Sequence, residues 1–177
     1  KITVVHKANV FRLSDGLFLE AVRAVRNEFP DFEYEEQIVD AMAALLIRDP
    51  AQFDVIVTTN MYGDILSDEA SEIAGSLGMA ASLNAGEHFA MAQAQHGSAP
   101  SLAGQDIANP SSLIGSAAML LRWIAKRHDA PHFVLAAKAI ESAISTAVAN
   151  PRTRTRDLGG KLGTNAYMDK ILKIIDK

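Results

Sequence analysis

Two short β-branched runs, "ITVV" at residues 2–5 and "FDVIVTT" at 53–59, constrain this chain more than any other feature. Both have strand length, and helical apolar spacing follows each of them, so they read as buried strands alternating with helices. "SDGLFLEAVRAVRNEF" reads as a helix with Ser14 or Asp15 as its cap, ended by Pro30-Asp31. "FEYEE" alternates like a strand with one wet face, and "QIVDAMAALLIRD" reads as a helix stopped by Pro50. "NMYGD" reads as a turn into an acidic helix. From Gly75 to Gln95 small and polar residues show no clear period; this stretch reads as loops with short extended pieces, and Gly75 as a domain boundary. "NPSSLIGSAAMLLRWIAKRHD" reads as a helix with Asn109 as cap and Pro110 at its first position. "HFVLAAKAIESAISTAVAN" is another, "RTRTRDLGGKLG" a basic glycine-rich loop and "TNAYMDKILKIID" a closing amphipathic helix. The alternation gives an α/β architecture.

Composition narrows the chemistry. The net charge of −4 over 177 residues offers no basic field for nucleic acid. The absence of cysteine excludes disulfides and thiolate metal sites and fits a reducing cytoplasm. No apolar run reaches the roughly 20 residues of a membrane span, and no signal peptide is visible. The chain opens directly on a β-branched run, like a strand entered part-way, so we expect a piece of something longer.

Within "MYGDILSDEASEIAG", Asp64, Asp68 and Glu72 stack one helical turn apart, an arrangement that weakens an isolated helix. Asp64 and Asp68 would share one helix face with Cβ atoms about 5–6 Å apart, suited to a hard divalent cation such as Mg²⁺ or Mn²⁺. The alternative is that Asp64 caps the helix and the other acids face water. Asp40 sits in "IVDAMAALLI" among apolar neighbours. A buried carboxylate there calls for a partner or a metal, the alternative being a helix cap. Lys7 follows a buried strand, where α/β sheets gather their ligands. It is either a base reaching a cleft or a snorkelling surface lysine. "QHGSAPSLAGQDIANP" packs small residues, a histidine and prolines before a long helix. Its peptide N–H groups and His96 suit phosphate or adenine, the alternative being an ordered loop. No G-x-G-x-x-G follows a strand and no P-loop signature is present.

Taken in order, "HKANV", "VDAM", "GDILSDEAS", "HGSAP", "IANP" and "RTRDLGG" resemble the β-decarboxylating dehydrogenases: isocitrate, 3-isopropylmalate, homoisocitrate and tartrate dehydrogenases. The resemblance covers essentially the whole chain and corresponds to the C-terminal half of that family. It implies an isocitrate/isopropylmalate dehydrogenase-like three-layer α/β fold, incomplete here. Residues 1–74 would be part of the smaller, dimer-forming, metal-site domain, and 75–177 the C-terminal part of the large cofactor-binding domain.

The resemblance further implies oxidative decarboxylation of a 2-hydroxy acid with NAD or NADP and Mg²⁺ or Mn²⁺, in a homodimer that shares its active sites. Lys7 and Asp40 match catalytic positions that reach the neighbouring subunit's site, Asp40 also as a metal ligand. Asp64 and Asp68 match the metal ligands of the home subunit. His96, Gly97, Ser98, Ala99, Pro100, Leu102 and Asn109 match the adenosine-binding loop, and Asp157 a nearby cofactor position. Ser101 stands where NAD-dependent members usually carry Asp and NADP-dependent ones often Lys, and Gln93 where a Glu is usual. Both leave the choice of cofactor open. "HKANVFRLSDGLFLE" looks closer to the isocitrate and homoisocitrate branch than to the isopropylmalate one. From these residues alone we expect little or no turnover. The rival readings are a non-catalytic half-length subunit or assembly module, and a stand-alone Mg²⁺-dependent hydrolase or lyase.

Overall fold

The computed structural model describes residues 1–176. The chain divides into two compact units, Lys1–Ile73 and the remainder from Ala74.

The first unit is built on a parallel sheet of β1 (Ile2–His6), β2 (Tyr34–Ile38) and β3 (Val55–Thr58), in the order β2-β1-β3. Helix α1 (Ser14–Glu28) carries the chain from β1 to β2, and α2 (Val39–Arg48) carries it from β2 past β1 to β3. These two crossovers travel in opposite directions along the sheet. Parallel crossovers share one hand, so their helices must lie on opposite faces. Val5 packs with Met42 and Leu46 of α2 and Leu66 of α3 (Asn60–Ile73), with Ile56 beside them. On the other face Ile2, Tyr34 and Val57 meet Phe18, Val22 and Val25 of α1 around an apolar groove.

Local chemistry sets the element ends, with some departures from expectation. The cap position of α1 is Leu13, which makes no side-chain capping bond; Ser14 and Asp15 lie inside the helix. β2 runs into α2 without a loop, so Gln37 and Ile38 are strand and Asp40 is the second helical residue, not a cap. The expected turn at "NMYGD" is the first turn of α3.

The second unit contains a hairpin where loops were expected: β4 (Ala81–Ala85) pairs antiparallel with β5 (Ala90–Ala94). Its strands lack β-branched residues because α4 (Ser111–His128) lies close against them. A Cβ on Gly115 would stand 3.2 Å from the Ala81 Cβ. Buried serines of α4 bond the hairpin backbone: Ser82 N–H donates to Ser116 Oγ at 3.0 Å, Gln95 N–H to Ser112 Oγ at 3.2 Å, and Ser116 Oγ to the Gln93 carbonyl at 2.6 Å. α5 (Pro131–Ala149) packs on α4, and α6 (Thr164–Ile175) on α5. Their core is Ala143, Ile144, Ala147, Tyr167 and Ile171, with the Tyr167 hydroxyl 2.7 Å from Ser111 Oγ. Among the described residues α5 alone is long and apolar enough by length and composition to cross a membrane, although it carries Lys138 and Glu141.

Candidate functional site

Register brings the first set of residues together. β1 pairs with β2 so that His6 stands opposite Ile38, and with β3 so that Val5 stands opposite Thr58. The residues just beyond these pairs therefore collect at the C-terminal edge of the sheet, where α/β folds place ligands. Lys7 follows β1 directly, Asp40 stands two residues after the end of β2, and α3 begins two residues after the end of β3.

Lys7 Nζ pairs with Asp40 Oδ1. Asp40 is 68% exposed, which corrects the expectation that its apolar neighbours bury it. Opening α2 at Val39 turns it off the core face, while Met42 and Leu46 enter the core. The hydrogen bond from Lys7, and then one from its own backbone, hold the Asp40 carboxyl below the usual carboxylate range.

Asp64 and Asp68 both lie on the exposed side of α3, one turn apart. Asp64 is the fifth residue of that helix and so is not its cap. Its Oδ2 accepts from Asn60 Nδ2 at 3.3 Å. Among the described residues of one chain, no three His, Asp or Glu side chains converge on a metal-sized site. Asp40, Asp64 and Asp68 are thus not a closed cage within one copy. They are hard oxygen donors in a chain without cysteine, which fits Mg²⁺ or Mn²⁺ and excludes a soft thiolate site.

In the second unit, His96, Gly97, Ser98, Ala99 and Leu102 line one cleft of about 430 Å³ together with Asp106 and Thr164. Ala99 adopts a left-handed conformation, φ 39°, immediately before Pro100, which opens a 3-10 turn over Pro100–Leu102. A non-glycine residue there is uncommon and fixes a sharp reversal of the backbone. Gly97 has open space where a Cβ would stand, leaving room for a ligand over the loop. The His96 ring Nδ1 lies 2.9 Å from the Gly97 carbonyl. The floor was not anticipated: Asp106 caps α6 from a distant part of the chain, its Oδ1 accepting Asn165 N–H at 2.9 Å. No local capping pattern signals this, because donor and acceptor are far apart in sequence.

Asn109 and Asp157 do not line that cleft. Asp157 Oδ2 accepts from Ser76 Oγ at 2.5 Å and Asn109 Nδ2 at 2.9 Å. Asn109 Oδ1 accepts Ser111 N–H at 3.0 Å, so its cap-like bond serves α4 from just outside the helix, which begins at Ser111. Ser76 and Asn109 are buried, while Asp157 stays exposed. Partial burial pushes the Asp157 carboxyl up. The hydrogen bonds around it, Ser76's foremost, outweigh that and leave it below its ordinary value. A Cβ on Gly78 would reach 2.8 Å from the Asn109 Cβ, so that glycine keeps the cluster closed.

The model of the isocitrate/isopropylmalate dehydrogenase family matches residues 1–171. The chain belongs to this family. Among relatives, a 3-isopropylmalate dehydrogenase of Saccharolobus solfataricus is 46% identical over 98% of this chain and 51% of its own length. A homoisocitrate dehydrogenase of Methanocaldococcus jannaschii is 44% identical over 100% of this chain and 48% of its own length. The crystal structure of isocitrate dehydrogenase from Methylococcus capsulatus superposes with a TM-score of 0.91 at 39% identity, over 99% of this chain and 50% of that one. The chain thus spans about half the length of these isocitrate/isopropylmalate dehydrogenase family members, and its α/β fold is an incomplete version of theirs.

Proposed function

We propose that this chain is the C-terminal portion of a metal-dependent, NAD(P)-linked oxidative decarboxylase of a 2-hydroxy acid. Among the substrates of the family an isocitrate-like acid is our first choice, supported by "HKANVFRLSDGLFLE"; 3-isopropylmalate, homoisocitrate and tartrate are the alternatives. The observation that carries the reading is the meeting of Lys7 and Asp40 at the sheet edge from which α3 brings Asp64 and Asp68.

Asp64 and Asp68 of one copy, with Asp40 of a second copy in a homodimer, would hold Mg²⁺ or Mn²⁺. When bound, the cation would supply Lewis-acid polarisation of the alcohol oxygen, and the nicotinamide cofactor would supply the hydride acceptor. Lys7 of that second copy, as its neutral amine, would take the proton from the alcohol, and Asp40 beside it would pair with the ammonium so formed. His96, Gly97, Ser98, Ala99, Pro100 and Leu102 hold the adenosine end of NAD or NADP, and Asn109 and Asp157 brace that loop or meet the cofactor directly. Ser101, lacking both carboxylate and ammonium, leaves the choice between NAD and NADP to other contacts. The cysteine-free composition supports a reducing compartment such as the cytoplasm.

Calorimetric titration of Mn²⁺ into the wild-type chain and Asp68→Asn tests the reading. We expect binding to weaken by about tenfold or more in the variant, the scale of losing one metal-site interaction. Equal affinity would remove the site. The second reading is a non-catalytic half-length subunit or assembly module of such an enzyme. Assembly with a longer homologue that is indifferent to Asp64→Asn supports it.

A further inference from the structure

Asp15 was not among the site residues expected from sequence, yet it is 5% exposed at the start of α1. A carboxylate in the first helical turn ordinarily serves the free N–H groups of its own helix. This one is turned elsewhere. Its Oδ2 accepts the backbone N–H of Lys7 at 2.6 Å, and its Oδ1 accepts the Ser14 hydroxyl at 3.2 Å. The buried Tyr62 of α3 faces the same carboxylate; burial first, and then the Asp15 charge, raise the pKa of that phenol. Lys7 is held on its other side too, since its carbonyl accepts the N–H groups of Val10 and Phe11, each at 2.9 Å.

We propose that Asp15 is a positioning residue for Lys7: its buried carboxylate anchors the Lys7 peptide N–H, so that Nζ is presented to Asp40 at the edge of the sheet. A charge-assisted hydrogen bond to a backbone N–H fixes the direction in which the side chain leaves the strand. The consequence for turnover rests on the role given to Lys7 above, whereas the anchoring itself does not.

Amine labelling of the folded chain, read lysine by lysine by mass spectrometry, tests the anchoring, with Lys126 and Lys138 as internal references. In Asp15→Ala, and more weakly in the isosteric Asp15→Asn, Lys7 should label about threefold faster than in wild type while the references hold, the scale of loosening a partly exposed ion pair. An unchanged Lys7 rate in either variant overturns the proposal. So does a uniform rise over all lysines in Asp15→Asn, which would make Asp15 a general folding residue. In the assembled enzyme, Asp15→Asn should lower kcat and leave KM unchanged. Full turnover by Lys7→Ala would instead remove the role of Lys7 and leave the labelling result standing.

Discussion

The two units place their polar groups in opposite ways. In the first, Asp40, Asp64 and Asp68 stand exposed at the C-terminal edge of a parallel sheet, and the core beneath them is apolar: Val5, Met42, Leu46 and Leu66. In the second, Ser76, Asn109, Ser111, Ser112 and Ser116 are buried, and their hydrogen bonds hold α4 to the hairpin and to the loop bearing Asp157. Carboxylates left in water cost the fold little and remain available to a ligand. Buried donors and acceptors must pair inside the protein, and so they fix its shape. The three exposed carboxylates of the first unit thus keep their chemistry separable from its stability, whereas the buried Asp15 beneath Lys7 and the buried network of the second unit do not.

The largest expected effect falls on the second unit. Asp157→Ala strips the acceptor from the buried Ser76 hydroxyl and Asn109 amide, and each donor left unpaired carries a penalty of about 1–3 kcal/mol. Asp157 itself is open to water, so we expect the low end, about 1 kcal/mol. Amide hydrogen exchange over α4 and α6 should show it as faster opening. The pH dependence has a definite sign. The Asp157 carboxyl lies below its ordinary value in the fold, so its contribution is complete above the unfolded value of about 3.9 and fades as pH falls through the folded one. Asp157→Asn should blunt this acid loss in the second unit. The smallest effect is expected in the first unit. Asp64→Asn removes a like-charge neighbour of Asp68 from an exposed helix face, and its stability in urea should stay within about 0.5 kcal/mol of wild type. A destabilisation like that of Asp157→Ala would erase the distinction between the units.

Much of this was legible in the sequence, for identifiable reasons. β1 and β3 announce themselves because β-branched residues crowd both strands, but only β1 is buried as expected: β3 lies at the edge of the sheet with Val55 and Val57 exposed. The helices show through their apolar spacing, and the order of the short motifs pointed to the family that the chain matches over residues 1–171. The hairpin stayed hidden because "ASLNA" and "AMAQA" carry small residues demanded by the close approach of α4, and that demand lies in another part of the chain. Asp40 was misplaced for a similar reason. Its neighbours in sequence are apolar, but the register of β1 against β2 decides that it meets Lys7. Asp106 escaped altogether and Asp15 was legible only as a helix cap, since each serves a backbone N–H remote from its own helix turn or loop.

The location of the cation is the most direct test of the shared carboxylate site. Crystals of the assembled protein soaked in Mn²⁺ should give an anomalous peak within carboxylate bonding distance, about 2.0–2.6 Å, of Asp64 and Asp68, with Asp40 from a second copy alongside. An ordered homodimer with no peak at those side chains, or a peak held by other residues, would contradict it.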